Sequence, residues 1–204
     1  MNEELVKDKD QTMQKLLEAF DKILMEEGFQ SLGINKIAKT AGVSKVLIYR
    51  YFGDFNGLLK AYLEQKAFWL TQGQTEIEAI RQLNSTQLQQ FAEQLFCKMF
   101  DNLLHSIEQQ EIHRWELLEC NQAIEAVCKK IEEPSRARNQ IIAEILGVKE
   151  EDVAGVIALL IGGIYYLTLR AKTVDEFNGV NLRSPEGHII IRNAIKLVLN
   201  TIIK

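Results

Sequence analysis

Between Asn35 and Tyr51 the chain gathers side chains that bind phosphate and read base edges: Asn35, Lys36, Ser44, Lys45, Tyr49, Arg50 and Tyr51, with apolar Val46 and Leu47 among them. Lysine and arginine neutralise phosphates, and serine and tyrosine hydroxyls donate to phosphate oxygens. A lysine or arginine that enters a major groove also bonds guanine O6 and N7. Lys45 and Arg50 are therefore assigned to guanine or phosphate, and Lys36, Tyr49 and Tyr51 to backbone register. Val46 and Leu47 suit thymine methyl groups, or alternatively packing against the preceding helix.

Other chemistries are poorly served. His113, Glu116 and Cys120 stand at i, i+3 and i+7, on one helix face, but three mixed ligands without a second cluster make a poor zinc site, so no metal is expected. There is no G-x-S-x-G, no phosphate-cradling glycine loop, no H-E-x-x-H and no repeated Glu-x-x-His pair. An enzyme and a cofactor are not expected.

The base-reading residues need a scaffold that holds them outward. Ile37, Val43, Ile48 and Phe52 recur at helical spacing as an inward set, and small Ala38 permits close approach of a second helix. Gly42 supplies the backbone that a three-residue corner demands, and Ser44 is placed to cap the helix that follows. This is the grammar of a helix-turn-helix. Met13, Leu16, Leu17, Phe20, Ile23 and Leu24 mark an earlier amphipathic helix from about Asp10 to Glu27, stopped by Gly28. A further helix is expected from Phe55 through Leu58, Leu59, Tyr62 and Leu63 to Ala67 and Leu70.

The formal net charge is −4, which misleads until it is divided along the chain. Gly33 to Lys66 carries six cations against two anions, whereas residues 1–32 and 67–204 each carry an excess of four anions. A basic face on an acidic body binds phosphate in one orientation.

Gly28-Phe29, the run Ile37-Ala38-Lys39-Thr40-Ala41-Gly42-Val43-Ser44 and the closing Tyr49-Arg50-Tyr51-Phe52 together resemble the DNA-binding domain of the TetR family of bacterial regulators. The resemblance covers about Lys9 to Leu63. It departs at Gly33, where the family often has a capping Ser or Thr, so that a phosphate contact there falls to Asn35 or Lys36. It departs again at Phe55, where the family commonly has a backbone-touching lysine. The resemblance implies a ligand-responsive repressor acting as a homodimer on a palindromic operator in double-stranded DNA. It also implies a helical body with a cavity for an apolar or amphipathic effector, to which Phe96, Phe100, His113, Trp115, Glu116, Tyr165 and Tyr166 contribute walls and polar anchors.

An all-α fold is expected throughout: a three-helix helix-turn-helix domain over residues 1–66 and a larger ligand-binding and dimerisation domain over 67–204. Leu, Ile, Glu, Gln, Lys and Ala dominate, only two prolines occur, and 47% apolar residues suffice for a packed core. Helices are expected near Thr75–Leu83, Thr86–Ile107, Ile112–Cys120 and Ala123–Ile131; Pro134 opens or interrupts another that runs to about Leu146, and two more run from about Glu150 to Ala171 and from about Pro185 to Ile203. The stretch Thr173–Ser184, with Asn178-Gly179, reads as a loop. Cys97, Cys120 and Cys128 fall in helical patterns and are expected as buried reduced thiols, and the N-terminus shows no export pattern, which points to the cytoplasm. Seventeen uncharged residues, Val153 to Leu169, approach the length of a membrane span of about 20 residues, but the run is short, isolated and interrupted by glycines, and it lacks an aromatic-and-basic flank on both sides. They are assigned instead to a helix buried on several sides, and the resemblance to the TetR family implies that it meets its twin, together with the last helix, in a four-helix dimer interface. The competing possibility is an all-α ligand-binding or interaction protein whose helix-turn-helix no longer reads DNA.

Overall fold

The computed structural model describes residues 2–66, 77–119 and 121–202. In chain order they form α1 (Asn2–Glu27), a 3₁₀ turn (Phe29–Ser31), α2 (Ile34–Ala41), α3 (Val46–Phe52) and α4 (Phe55–Lys66). After a helical stretch at 77–81 come α5 (Ser85–His105), α6 (Ile107–Leu118), α7 (Gln122–Leu146), α8 (Glu150–Arg170) and α9 (Pro185–Ile202). Between α8 and α9 lies one small hairpin, β1 (Glu176–Phe177) with β2 (Val180–Asn181). The fold is all-α. Ala67, Leu70, Thr75 and Cys120, each named in the sequence reading, lie outside the described residues.

The chain divides into two compact units, Met1–Leu70 with Glu111–Lys130, and Thr71–Gln110 with Ile131–Lys204. In the first, the apolar stripe of α1 packs on α2 and α4, while α3 packs on α4. Leu16, Phe20 and Leu24 of α1, Ile37 of α2, Ile48 of α3 and Leu58 of α4 are fully buried. The Phe20 ring centre lies 4.4 Å from that of Tyr62 and 6.2 Å from that of Phe55. Trp115 extends this aromatic layer, 5.5 Å from Phe29 and 6.1 Å from Phe55. Buried Glu111 accepts a hydrogen bond from the Phe29 amide at 3.4 Å and pairs with Arg114 at 2.7 Å.

At the edge of this layer the Tyr62 hydroxyl donates to Asp21 at 2.6 Å and Lys66 pairs with the same carboxylate at 2.9 Å. Partial burial works to raise the Asp21 carboxyl, but the Tyr62 hydrogen bond and the Lys66 ammonium outweigh it and hold the group below its ordinary value. A carboxyl lowered by folding stabilises above its unfolded pKa, and that contribution disappears as the pH falls through the folded value. Tyr62→Phe is therefore expected to cost about 1 kcal/mol near neutrality, the site being partly solvated. Urea unfolding at a series of pH values should show that cost shrinking in acid.

In the second unit α5 packs against α8 and α9. Phe96, Phe100 and Leu103 meet Leu160 and Ile164 of α8 and Ile191, Ile195 and Leu199 of α9 in one core, with Leu182 from the connection. Helix α5 starts in a reciprocal cap: Asn84 Oδ1 accepts from the Gln87 amide at 2.9 Å, and Gln87 Oε1 from the Asn84 amide at 3.0 Å.

Two sequence expectations are corrected. Residues 122–146 form one helix with Pro134 inside it, so the expected end near Ile131 is absent and Pro134 does not open a new helix. A proline removes a single amide donor, and here the carbonyl it frees belongs to Lys130, on an exposed part of the helix. The Thr173–Ser184 stretch is not merely a loop, because Asn178 (φ 50°) and Gly179 (φ 78°) turn β1 back onto β2. Two successive left-handed residues give the turn whose twist suits a two-residue hairpin.

Candidate nucleic-acid interface

The corner between α2 and α3 rests on Gly42, whose φ of 68° is left-handed and whose amide, with that of Val43, bonds back to carbonyls of the last turn of α2. A side chain at this φ is strained even though open space surrounds the position. Ser44 acts just after the corner: its Oγ accepts from the Val46 amide at 3.4 Å, and its carbonyl accepts from Leu47 at 3.0 Å. The first α3 residue is Val46, preceded by Lys45 in helical geometry, so Ser44 supports the turn that leads into the helix rather than occupying its cap.

From that fixed start, α3 sorts its residues by face. Ile48 is fully buried, and Phe52, Leu47 and Tyr51 are half-buried. Val46, Tyr49 and Arg50, at i, i+3 and i+4, point outward together with Lys45. Val46 is 62% exposed and Tyr49 52%, which removes packing as the account of Val46 while leaving Leu47 with both roles. The Tyr51 ring lies 5.9 Å from both the Lys9 ammonium and the Arg50 guanidinium, so two cations flank it.

Helix α2 contributes Asn35 and Lys39, both exposed, and Lys36, which is ion-paired with Glu27 at the end of α1. Lys36 must exchange that carboxylate for a phosphate before it can touch a DNA backbone. Gly33 precedes α2 in extended geometry with no side-chain cap, as a glycine must. Phe55 is turned into the aromatic layer between Phe20 and Trp115, so at this position the residue serves packing and not phosphate binding.

The seven residues assigned to an effector cavity are not brought together. Phe96 lines an apolar cavity of about 250 Å³ in the second unit, while Phe100 is buried in that unit's core. Tyr165 packs partly against the same core, and exposed Tyr166 meets Phe177 edge-on at 5.2 Å. His113, Trp115 and Glu116 belong to the first unit, where Trp115 packs in the aromatic layer. Glu116 accepts from the Cys128 thiol at 3.2 Å and lies 3.2 Å from His113 Nδ1, and the His113 hydrogen bond lowers its pKa against the effect of burial. No group of three potential metal ligands occurs among the described residues. Cys97 and Cys128 stand outside any disulfide among the described residues, and each is half-buried.

The cavity walls that sequence reasoning missed come mainly from aliphatic residues of α5, α7 and α8, with Arg138 the one charged contributor among the described residues. Aliphatic side chains at helical spacing look the same whether they close a core or line a hollow. Glu111 was also missed, although Glu111 and Arg114 stand at i, i+3.

Comparison with known proteins follows the same division. Residues 16–62 match the sequence profile of bacterial regulatory proteins of the tetR family. No curated relative matches the chain. Among solved structures, the Bacillus subtilis transcriptional regulator FadR, in complex with stearoyl-CoA, is 19% identical, with a TM-score of 0.58 over 91% of this chain and 96% of its own. NalD of Pseudomonas aeruginosa, the secondary repressor of the MexAB-OprM multidrug efflux pump, is 12% identical, with a TM-score of 0.64 over 97% and 98%. A TetR-family regulator from Rhodococcus sp. is 16% identical, with a TM-score of 0.53 over 95% and 100%. At these identities the likeness speaks for the fold. Residues 16–62, which hold the helix-turn-helix, therefore match the bacterial tetR regulatory family, and the chain as a whole has the all-α fold seen in transcriptional regulators of that family.

Proposed function

We propose that this chain is a ligand-responsive repressor that binds a palindromic operator as a homodimer in the cytoplasm. The observation that carries the reading is the outward set of Lys45, Val46, Tyr49 and Arg50 on a helix anchored by buried Ile48 and a left-handed Gly42. Such a helix enters a major groove as a rigid probe, and a twofold dimer offers two of them about 34 Å apart, one turn of duplex. In this reading residues 1–66 make the DNA contacts and residues 67–204 bind the effector and the twin subunit.

Support for a twin subunit comes from the last two helices. Helix α8 is long and apolar enough to cross a membrane, yet its faces differ: Val153, Leu160 and Ile164 are buried, while Leu159 and Tyr166 are exposed beside Gly155, Gly162 and Gly163. Helix α9 exposes Ile189, Ile190, Leu197 and Val198. Apolar surface on that scale marks an interface.

Regulation then follows from linkage. An effector that binds better to a form with misplaced reading helices lowers operator affinity by the factor that DNA lowers its own. FadR was seen with stearoyl-CoA and NalD is a repressor, so both properties occur on this fold.

Selection of bound sequences from a random duplex pool, repeated at rising salt, tests the proposal. The expected product is a twofold-symmetric site whose binding weakens steeply with salt. Recovery of no preferred sequence would favour the alternative, a helical ligand-binding or interaction protein that has lost DNA reading. On the selected site, Lys45→Ala or Arg50→Ala is expected to cost about 1–3 kcal/mol if the residue reads a base, and unequally across operator variants. Equal weakening on every sequence assigns the residue to phosphate.

A further inference from the structure

The cavity behind Phe96 is, among the described residues, apolar apart from one. Phe91, Phe96 and Met99 of α5, Ile142 of α7, and Val156 and Ile161 of α8 form its walls, and every other described lining residue except Arg138 is apolar as well. Arg138 donates a hydrogen bond to Ser135 Oγ at 3.1 Å, and among the described residues no carboxylate pairs with it. A guanidinium carries five donors and cannot shed its proton, so a partly buried one beside apolar walls leaves a charge to be compensated. Ion pairs elsewhere in this unit, such as Arg192 with Asp101 at 2.6 Å, satisfy their arginines internally.

We propose that this cavity takes a medium-chain carboxylate, its hydrocarbon chain between α5, α7 and α8 and its carboxylate on Arg138. The assignment rests on the reading of the chain as a ligand-responsive regulator and names the effector's chemical class. Four features favour this occupant. A carboxylate matches the planar fork of a guanidinium with two parallel hydrogen bonds, and the match gains strength where water is scarce. A cation is repelled, and a neutral hydrocarbon leaves the charge uncompensated. Arg138, Ile142 and Leu146 follow one another at i, i+4 and i+8 along one face of α7, which puts the charge at one end of an apolar strip about 12 Å long. A cavity of about 250 Å³ along a strip of about 12 Å suits a single hydrocarbon chain of medium length.

Calorimetry on the full chain with three ten-carbon ligands tests the assignment: decanoate, decan-1-ol and decyltrimethylammonium. Decanoate is expected to bind at least tenfold more tightly than decanol, and the cation not at all. In Arg138→Gln the two affinities should converge to within about twofold while decanol binding persists, and Arg138→Lys should keep part of the preference. Ala92→Phe, which fills the cavity without touching the charge, should remove both ligands. Decanol binding as tightly as decanoate to the native chain overturns the proposal, and that comparison decides even if Arg138→Gln does not fold. Retention of the preference in a folded Arg138→Gln overturns it too. Duplex selection on the same preparation keeps the two readings apart. A chain that selects a symmetric site but ignores decanoate refutes the ligand assignment alone, and one that binds decanoate through Arg138 but selects no duplex refutes the regulatory reading.

Discussion

A chain carrying Leu159→Glu and Leu197→Glu is expected to sediment as a monomer and to bind its selected operator at least about 100-fold more weakly than the parent, because a tethered second reading helix commonly multiplies affinity by 10² or more. Leu159 is 76% exposed and Leu197 69%, so neither substitution empties a core, and circular dichroism and thermal melting should be little changed. On α8, Gly155, Leu159, Gly162 and Tyr166 are all exposed and follow at steps of four, three and four. On α9, Ile190, Ala194 and Leu197 follow at four and three. Those steps keep each stripe on a single face, and a methyl group built at Gly155, Gly162 or Gly163 meets no atom within 4 Å, so another helix has room to approach closely. In a twofold pairing each glutamate faces its own copy's surroundings, and four new charges lose water at once. A double variant that stays dimeric with undiminished operator affinity shows that the interface lies elsewhere.

The second large effect is on folding. Phe20→Ala should cost about 3–5 kcal/mol, the range for emptying a buried aromatic site. Phe20 is fully buried and its ring centre lies 4.4 Å from that of Tyr62, so the substitution removes both apolar burial and an aromatic pair at the centre of the first unit. Total stability of a domain this size is of the same order as the loss. Denaturant unfolding followed by circular dichroism should show a lowered midpoint, and operator binding should fall with the folded fraction. An unchanged midpoint would mean that the layer repacks without Phe20.

Much of the reading surface was legible before any coordinates. Helix α1 ends at Glu27, before the expected stop at Gly28; Gly33 precedes α2, Gly42 takes the left-handed corner, and α4 begins at Phe55. Each of these follows from short-range physics: apolar residues recurring every three or four positions, a glycine where φ turns positive, a hydroxyl next to orphan amides. The same range limits what was missed. Pro134 looked like a boundary because proline costs one hydrogen bond, and whether a helix absorbs that loss depends on its surroundings. The hairpin at Asn178-Gly179 was overlooked for a different reason, since its turn dipeptide is a local signal but strands of two residues carry no periodicity.

What the chain determines by itself is thus the helical succession and the identity of the groups that α3 turns outward, because helical phase and glycine conformation are set within a few residues. Tertiary structure alone decided that Phe55 packs inward, that Lys36 is held by Glu27, and that Trp115 joins the first unit while Arg138 borders the cavity of the second. Those outcomes depend on which surfaces meet, as when Glu111 reaches the Phe29 amide across 82 positions of sequence, and no periodic pattern encodes a meeting at that separation.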